Sequence, residues 1–131
     1  MTDERWRQTV ESLKDKELRD NYVSDHITEG IAFQIRAMRE ARGWTQRELG
    51  ERVGITGEER ISLMENPNEG FHSLEMLRRA AAAFDVALIV RFAPYSDLVD
   101  WTLSLSPNDL AVPSFNDDLA LQPKLTGGGG R

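Results

Sequence analysis

The chain has 131 residues, of which 40% are hydrophobic and 29% are charged, so it is long enough for one domain with a buried core. It contains no cysteine, which excludes disulfides, thiolate metal ligands and cysteine nucleophiles and fits a reducing compartment. The formal net charge of −6, from 22 acidic and 16 basic residues, argues against non-specific coating of nucleic acid, which requires a general excess of lysine and arginine.

No apolar run approaches the ~20 residues that a membrane helix requires, and the N-terminal segment MTDERWRQTV is too polar for a signal peptide. We therefore expect a cytoplasmic protein that does not bind membranes. The two histidines, His26 and His72, do not stand at metal-ligand spacing from acidic residues or from each other, and no nucleophile motif is present. We expect no metal, no cofactor and no enzymatic activity.

Charge is unevenly distributed along the chain. Residues 34–53 contain five arginines and three glutamates, a local charge of +2. After Phe92 there are five aspartates against one lysine and one arginine, a local charge of −3. This distribution predicts a small basic face on an acidic molecule.

Apolar residues at helical spacing predict two helices in the first third of the chain. The first covers residues 3–20, with Trp6, Val10 and Leu13 on its apolar side. A polar break at residues 20–21 precedes the second helix, over residues 25–42, which Gly43 is suited to end. The apolar face of the second helix consists of Ile27, Ile31, Ile35 and Met38.

The next two helices carry matching start signals. Thr45 and Glu48 form one capping box and Thr56 and Glu59 form another, because in each pair the hydroxyl and the carboxylate can satisfy free N–H groups of a first helical turn. Gly54 ends the first of these helices. The pattern predicts two short helices joined by a tight turn.

A fifth helix is predicted from Ser73 to Phe84, and the hydrophobic period then changes. The run VALIVRF, residues 86–92, predicts a β-strand that ends at Pro94. Since one strand cannot satisfy its own backbone groups, we expect it to pair with the same strand of a second copy. The predicted dimerisation residues are Val86, Leu88, Ile89, Val90 and Phe92.

The stretch GWTQRELGERVGITGEERISLMENP resembles the lambda-repressor/Cro-like family of bacterial and phage regulators, also called the XRE family. The resemblance covers roughly residues 22–105. The positions that match the family pattern are Thr45, Gln46, Leu49, Gly54, Ile55, Ile61, Ser62, Met64, Glu65 and Asn66.

This resemblance implies a mainly α fold: a five-helix lambda-repressor-like DNA-binding domain, here with an extra N-terminal helix and a C-terminal β-strand used in dimerisation. We divide the chain into an N-terminal helix (residues 1–22), a helix-turn-helix domain with its strand (23–93), a short helical extension (94–105) and a disordered tail (106–131). The tail assignment follows from its prolines and its GGGG sequence.

The resemblance also implies double-stranded DNA as the partner, bound by the second helix of the pair in the major groove. Gln46, at a helix N-terminus, is suited to hold a phosphate together with free backbone N–H groups. The expected DNA-binding residues are Arg36, Arg42, Thr45, Gln46, Arg47, Thr56, Gly57, Glu58, Glu59, Arg60, Leu63, Asn66 and Asn68.

One departure from the family pattern concerns the second helix. The chain has one residue more than the usual spacing between Gly54 and Ile61, so that either Leu63 or Met64 takes the inward place. The helix also opens with the acidic residues Glu58 and Glu59, which repel phosphate. We interpret them as a source of selectivity rather than of affinity.

Two hypotheses for function follow. The first is a homodimeric repressor or autoregulator that binds an inverted repeat. The alternative is an antitoxin, whose N-terminal helix or acidic tail masks a toxin while it regulates its own operon.

Overall fold

The structure is a computed structural model that describes residues 4–55, 58–68 and 72–121, and of Glu58 and Glu59 it describes only the backbone. Helices account for all the regular structure in these residues. The elements in chain order are α1 (Glu4–Ser12), α2 (Lys16–Asp25), a π-helix (His26–Gly30), α3 (Ile31–Ala41), α4 (Gln46–Val53), α5 (Glu58–Met64), α6 (Leu74–Phe84), α7 (Tyr95–Leu103), α8 (Pro107–Leu110) and a 3₁₀ turn (Phe115–Asp117).

The N-terminal segment breaks at a different place from the one predicted. The break lies between α1 and α2, where the carboxylate of Asp15 accepts hydrogen bonds from the backbone N–H groups of Glu17 and Leu18 and so caps α2. The polar pair at residues 20–21 lies inside α2, where Asp20 forms an exposed ion pair with Lys16, 2.8 Å away and one turn earlier. The polar pair at residues 20–21 lies on the solvent side of α2 and does not end the helix, so the predicted break is wrong.

The core of the helix-turn-helix region forms between α3, α4, α5 and α6 as the apolar spacing predicts. Five aliphatic side chains of α4, α5 and the turn are buried, and the ring of Phe84 on α6 stacks on that of Trp44, with centroids 5.5 Å apart. The five are Leu49, Val53, Ile55, Ile61 and Met64. Their burial fixes the angle between α4 and α5.

Two glycines allow the chain to turn closely at the end of α4. Gly54 has a φ of 85°, a left-handed conformation that glycine adopts without steric cost, and its N–H donates to the Gly50 carbonyl. A Cβ on Gly50 would lie 3.1 Å from the Ile55 carbonyl oxygen and 3.4 Å from Cγ1 of Ile61. Gly50 therefore permits the close approach of α4 to the turn and to α5.

The predicted C-terminal β-strand is wrong. Residues 86–94 form an irregular connector between α6 and α7, and no strand occurs within the described ranges. The β-branched run finds no second strand edge in the described chain, and without such an edge its backbone cannot form a ladder. Ile89, Val90 and Phe92 instead lie exposed to solvent.

Residues 106–121, which were assigned to a disordered tail, pack against the helix-turn-helix core. α8 lies on α3, where the side-chain amide of Gln34 donates to the Asp109 carbonyl at 2.8 Å. Further along, the N–H of Phe115 donates to the Asp85 carbonyl at 2.9 Å. Prolines do not prevent a segment from being held by hydrogen bonds to a preformed core. The remainder of that assignment, residues 122–131, lies outside the described residues.

The N-terminal helices and α7 form a second, smaller packing unit. α1 contacts α7, and Leu13 and Val99 are buried there. The indole N–H of Trp6 donates to the Asp100 carboxylate at 3.3 Å, and the hydroxyls of Tyr22 and Thr102 share a hydrogen bond. The start of the chain is thus joined to a helix that lies more than 90 residues later in the sequence.

Candidate nucleic-acid interface

The start of α4 has the predicted capping box. The backbone N–H of Glu48 donates to the Thr45 hydroxyl oxygen at 3.0 Å, and the backbone N–H of Thr45 donates to the Glu48 carboxylate at 2.9 Å. The pKa of Glu48 is lowered, and the largest cause is the hydrogen bond from the Thr45 backbone. The hydrogen bond with the Thr45 side chain is the second cause. The cap leaves the positive end of α4 well ordered beside Gln46 and Arg47.

A buried ion pair joins three helices behind Gln46. The Nε–H of Arg39 on α3 donates to Oε2 of Glu65 at 2.6 Å, and an Nη2–H of the same guanidinium donates to Oε1 at 3.1 Å. The side-chain amide of Gln46 on α4 donates to the same Oε1 at 3.3 Å. Glu65, directly after α5, is only 6% exposed, so both its oxygens are satisfied within the protein.

This arrangement positions Gln46. Arg39 also donates to the Trp44 carbonyl at 2.8 Å, immediately before the cap residue of α4. The hydrogen bond to Glu65 raises the pKa of Arg39, which is therefore a permanent cation. Because Glu65 is buried and held by two Arg39 hydrogen bonds, it offers Gln46 a fixed acceptor and restricts the orientation of its amide.

The register of α5 is now resolved. Met64 is 7% exposed and faces the core, whereas Leu63 is 50% exposed. The extra residue left two alternatives for the side chain that faces the core, and that side chain is Met64. Leu63 and the exposed Arg60 are available on α5 for contacts outside the protein.

Arg36 and Arg47 are exposed, as the expected interface requires. The Arg47 guanidinium lies 3.8 Å from the Glu51 carboxylate, and that of Arg36 lies 3.1 Å from Glu40. Such exposed pairs contribute little to stability, so phosphate can compete for either arginine.

Arg42, in contrast, is occupied inside the molecule. Its guanidinium donates to the Met38 carbonyl at 3.1 Å, the Phe84 carbonyl at 2.9 Å and the Val112 carbonyl at 3.3 Å. It also lies over the rings of Trp44 and Phe84, 5.8 and 5.1 Å from their centroids. Burial lowers the pKa of Arg42, against the opposing effect of the Asp117 and Asp85 carboxylates. The structure places Arg42 in the core contact rather than on the DNA-facing surface.

Of the remaining predicted DNA-binding residues, the structure describes Asn66 and Asn68 in full, and both lie after α5. The Asn66 side chain accepts a hydrogen bond from the backbone N–H of Asn68 at 2.8 Å, which forms a tight local turn. Thr56 and Gly57 lie outside the described residues, as do the side chains of Glu58 and Glu59.

The sequence pattern did not assign a role to three residues that shape this interface. Arg39 and Arg52 enter the sequence pattern only as two of the five arginines of residues 34–53, and Glu65 only as a motif position. In the structure the Arg52 guanidinium lies 4.2 Å from the Trp44 ring centroid. A sequence signal existed for Glu65, since it follows the buried Met64 directly. Its partner on α3 is 26 residues away, and no local pattern indicates that pairing.

Comparison with known proteins identifies the class of domain. Residues 31–91 match a family model described as a helix-turn-helix domain. The match begins at the first residue of α3 and ends in the connector after α6, so it contains α4, α5 and the core around them. No curated protein and no solved structure matched the chain.

This segment is thus similar to helix-turn-helix domains, the class that DNA-binding regulators use. The narrower resemblance to the lambda-repressor/Cro-like family stays a hypothesis. No helix in the described ranges is both long and apolar enough to cross a lipid bilayer.

Proposed function

We propose that the chain is a sequence-specific transcriptional regulator that binds double-stranded DNA as a homodimer on an inverted repeat. The observation that carries this proposal is the hydrogen bond from Gln46 to the buried Glu65, within a segment that matches a helix-turn-helix domain. The contact holds the start of α4 against the end of α5, and it orients the amide of Gln46 beside a capped helix N-terminus.

The two helices have different tasks in this proposal. α4 supplies sequence-independent contacts, in which Gln46 and Arg47 hold a phosphate at the positive end of the helix. α5 enters the major groove, where Arg60 can donate to guanine or phosphate and Leu63 can contact a thymine methyl group. Phosphate contacts fix the position, and groove contacts select the sequence.

A dimer follows from the charge of the molecule. With a net charge of −6 and few exposed arginines near α4, one subunit gains little electrostatic attraction to DNA. When two linked subunits bind two half-sites, the second contact is intramolecular, and the apparent affinity rises without any new contact per subunit. An inverted repeat is the DNA counterpart of such a two-fold dimer.

The test compares Arg47→Ala with Lys14→Ala on duplex DNA by fluorescence anisotropy over a range of salt concentrations. Both variants remove one exposed, ion-paired cation, but Lys14 follows α1 and lies outside the segment that matches the family model. We expect Arg47→Ala to weaken binding to every duplex and to reduce the salt slope by about one, because one phosphate contact is lost. We expect Lys14→Ala to bind as wild type. Equal effects of the two substitutions would show that α4 does not dock on the phosphates.

The antitoxin alternative stays a hypothesis. It relied on the N-terminal helix or the acidic tail as a surface that masks a toxin. In the described residues α1 packs against α7, and α8 of the tail packs against α3. The described structure therefore gives that alternative no separate support.

A further inference from the structure

His72 stands two residues before α6, and its ring reaches back to the end of α5. Nε2 of the ring lies 2.9 Å from the carbonyl oxygen of Met64, eight residues earlier in the chain. Because a carbonyl oxygen can only accept a hydrogen bond, Nε2 carries a proton and donates it. The ring therefore links the end of α5 to the start of α6.

The Met64 carbonyl is a group that α5 cannot satisfy by itself. The last four carbonyls of a helix have no partner within that helix, and Met64 is the last residue of α5. The chain that follows supplies one donor, since the backbone N–H of Asn66 donates to the Leu63 carbonyl at 3.2 Å. For Met64 the donor comes from the side chain of His72.

The second ring nitrogen of His72 shows what the residue contributes. Nδ1 is buried and has no hydrogen-bond partner within the described residues. Leaving a buried polar atom unpaired is unfavourable. A phenyl ring of similar size would avoid this cost, but it could not donate to Met64. The presence of histidine at this position therefore indicates that the donor to α5 is the group the site requires.

His72 extends from a rigid support. The hydroxyl oxygen of the next residue, Ser73, accepts from the N–H of Met76 at 3.1 Å and so caps α6. α6 packs against α4, and its last residue, Phe84, is buried in the core. The ring thus transmits the position of a fixed helix to the end of α5.

We infer that His72 is a positioning residue for the reading of DNA sequence. By donating to the Met64 carbonyl, it fixes the last turn of α5 and, with that turn, the direction in which Leu63 projects. This inference rests on the proposed function, in which α5 enters the major groove and Leu63 contacts a base. His72 acts through α5 and makes no DNA contact in this role.

The length of α5 explains why its end needs such support. The helix has seven residues, and an isolated helix this short does not keep its shape in water. Leu63 is half exposed and directly precedes Met64, which is buried, so a displacement of the Met64 carbonyl moves Leu63 as well. Binding groups must be held to within about 0.5 Å of their productive position. A loose last turn would therefore contact different base pairs about equally well.

His72 and Glu65 support different parts of the interface. Glu65 accepts hydrogen bonds from Arg39 and Gln46, and this network orients the residue that holds a phosphate in the proposed function. His72 acts on the neighbouring residue, Met64, from the side of α6. Loss of the His72 donor is therefore expected to leave the phosphate contacts intact and to reduce sequence selectivity.

The experiment compares the full-length wild type with His72→Phe, His72→Gln and His26→Phe. The first substitution keeps a ring but removes the donor, whereas the glutamine amide can donate from about the place of Nε2. His26 is the matched control, because it lies in the π-helix, before the segment that matches the family model. We expect His72→Phe to melt within about 3 °C of wild type, since removal of the unpaired Nδ1 offsets the lost hydrogen bond.

Hydrogen exchange of the Asn66 amide, followed by NMR, tests the anchor without DNA. We expect exchange in His72→Phe to be about fivefold faster or more, because the end of α5 then opens more often. His72→Gln and His26→Phe are expected to stay within about twofold of wild type. An unchanged rate in His72→Phe would mean that His72 does not fix the end of α5, and the inference would be wrong.

DNA binding tests the reading role. The probes are a duplex that wild type selects from a random-sequence library and a scrambled duplex of the same composition, with binding measured by fluorescence anisotropy. We expect the ratio of the two dissociation constants to fall about fivefold or more in His72→Phe, while affinity for the scrambled duplex stays within about twofold. His72→Gln and His26→Phe are expected to keep the wild-type ratio.

The outcomes separate this inference from the proposed function. An unchanged ratio in His72→Phe, or a loss of selectivity in His72→Gln, which retains a donor, overturns the inference and leaves the regulator intact. If wild type selects no sequence, the proposed function fails and the reading role fails with it. The exchange rates still decide in that case whether His72 fixes the end of α5.

Discussion

Arg42 illustrates how a single side chain can change role between sequence and structure. Its place in an arginine-rich stretch next to Gln46 and Arg47 predicted a phosphate contact. In the folded chain its guanidinium donates to carbonyls of Phe84 and Val112, which belong to segments 42 and 70 residues away. A planar group with five donors can link several carbonyls in one place, which an ammonium group cannot do as well.

Replacement of Arg42 is therefore expected to affect stability. We predict that Arg42→Ala lowers the free energy of unfolding by about 2–3 kcal/mol, because charge-assisted hydrogen bonds and aromatic contacts are lost together. Urea denaturation measures this loss. The exposed Arg47→Ala serves as control, with an expected change within about 0.5 kcal/mol. If Arg42→Ala keeps native stability but binds DNA more weakly, the stability prediction is wrong and Arg42 belongs to the DNA-binding residues.

At the scale of elements, residues 106–121 behave as part of the domain. α8 packs on α3, the N–H of Phe115 bonds to the carbonyl at the end of α6, and Val112 packs against the main core. Composition alone suggested disorder, because the segment contains prolines and is followed by a further proline and the GGGG sequence. The folded core offers an acceptor at Asp85, a donor at Gln34 and an apolar surface, and these hold the segment in place.

Charge substitution in this segment tests that docking. We predict that Val112→Asp destabilises the protein by about 1–3 kcal/mol, because a carboxylate would be placed against the core without a partner. Thermal unfolding followed by circular dichroism measures the effect. The same substitution at the exposed Leu119 is expected to be close to neutral. Equal melting temperatures for Val112→Asp and wild type would mean that the C-terminal segment does not dock in solution.

At the scale of the whole molecule, acidity and DNA binding have to be reconciled. The chain has a net charge of −6, whereas the stretch from residue 34 to residue 53 has more arginines than acids. A protein of this kind gains little from long-range attraction, and under the proposed function its binding depends on two correctly placed subunits. Its binding is then sensitive to the distance between the half-sites.

Spacing between half-sites gives the corresponding prediction. Half-sites one helical turn apart, ~10 base pairs, lie on the same face of the duplex, and an insertion of about 5 base pairs turns one of them to the opposite face. We expect such an insertion to reduce the affinity at least tenfold, since only one subunit can bind at a time. Mobility shifts with an inverted repeat and with a spacer changed in sequence but not in length provide the comparison. Indifference to the insertion would argue for a monomeric mode of binding.

Predictions from sequence succeeded where the determining interactions are local. The capping box of Thr45 and Glu48 spans three residues, the left-handed Gly54 ends α4, and Ser73 caps α6 by accepting from the N–H of Met76. They failed where a partner was needed from elsewhere in the chain. The run at residues 86–92 has strand-like composition, but a strand forms only where a second edge is available.

The sequence by itself determined the two short helices, the cap of the first and the aliphatic face that holds them together, because side-chain spacing and capping chemistry act within a turn or two of helix. Only the tertiary structure decided that Arg42 bonds to the Phe84 carbonyl, that Gln46 is oriented by Glu65 and Arg39, and that residues 106–121 join the core. Each of these depends on hydrogen bonds between groups 19 to 75 residues apart, whose pairing is fixed by the packing of helices and not by any local pattern.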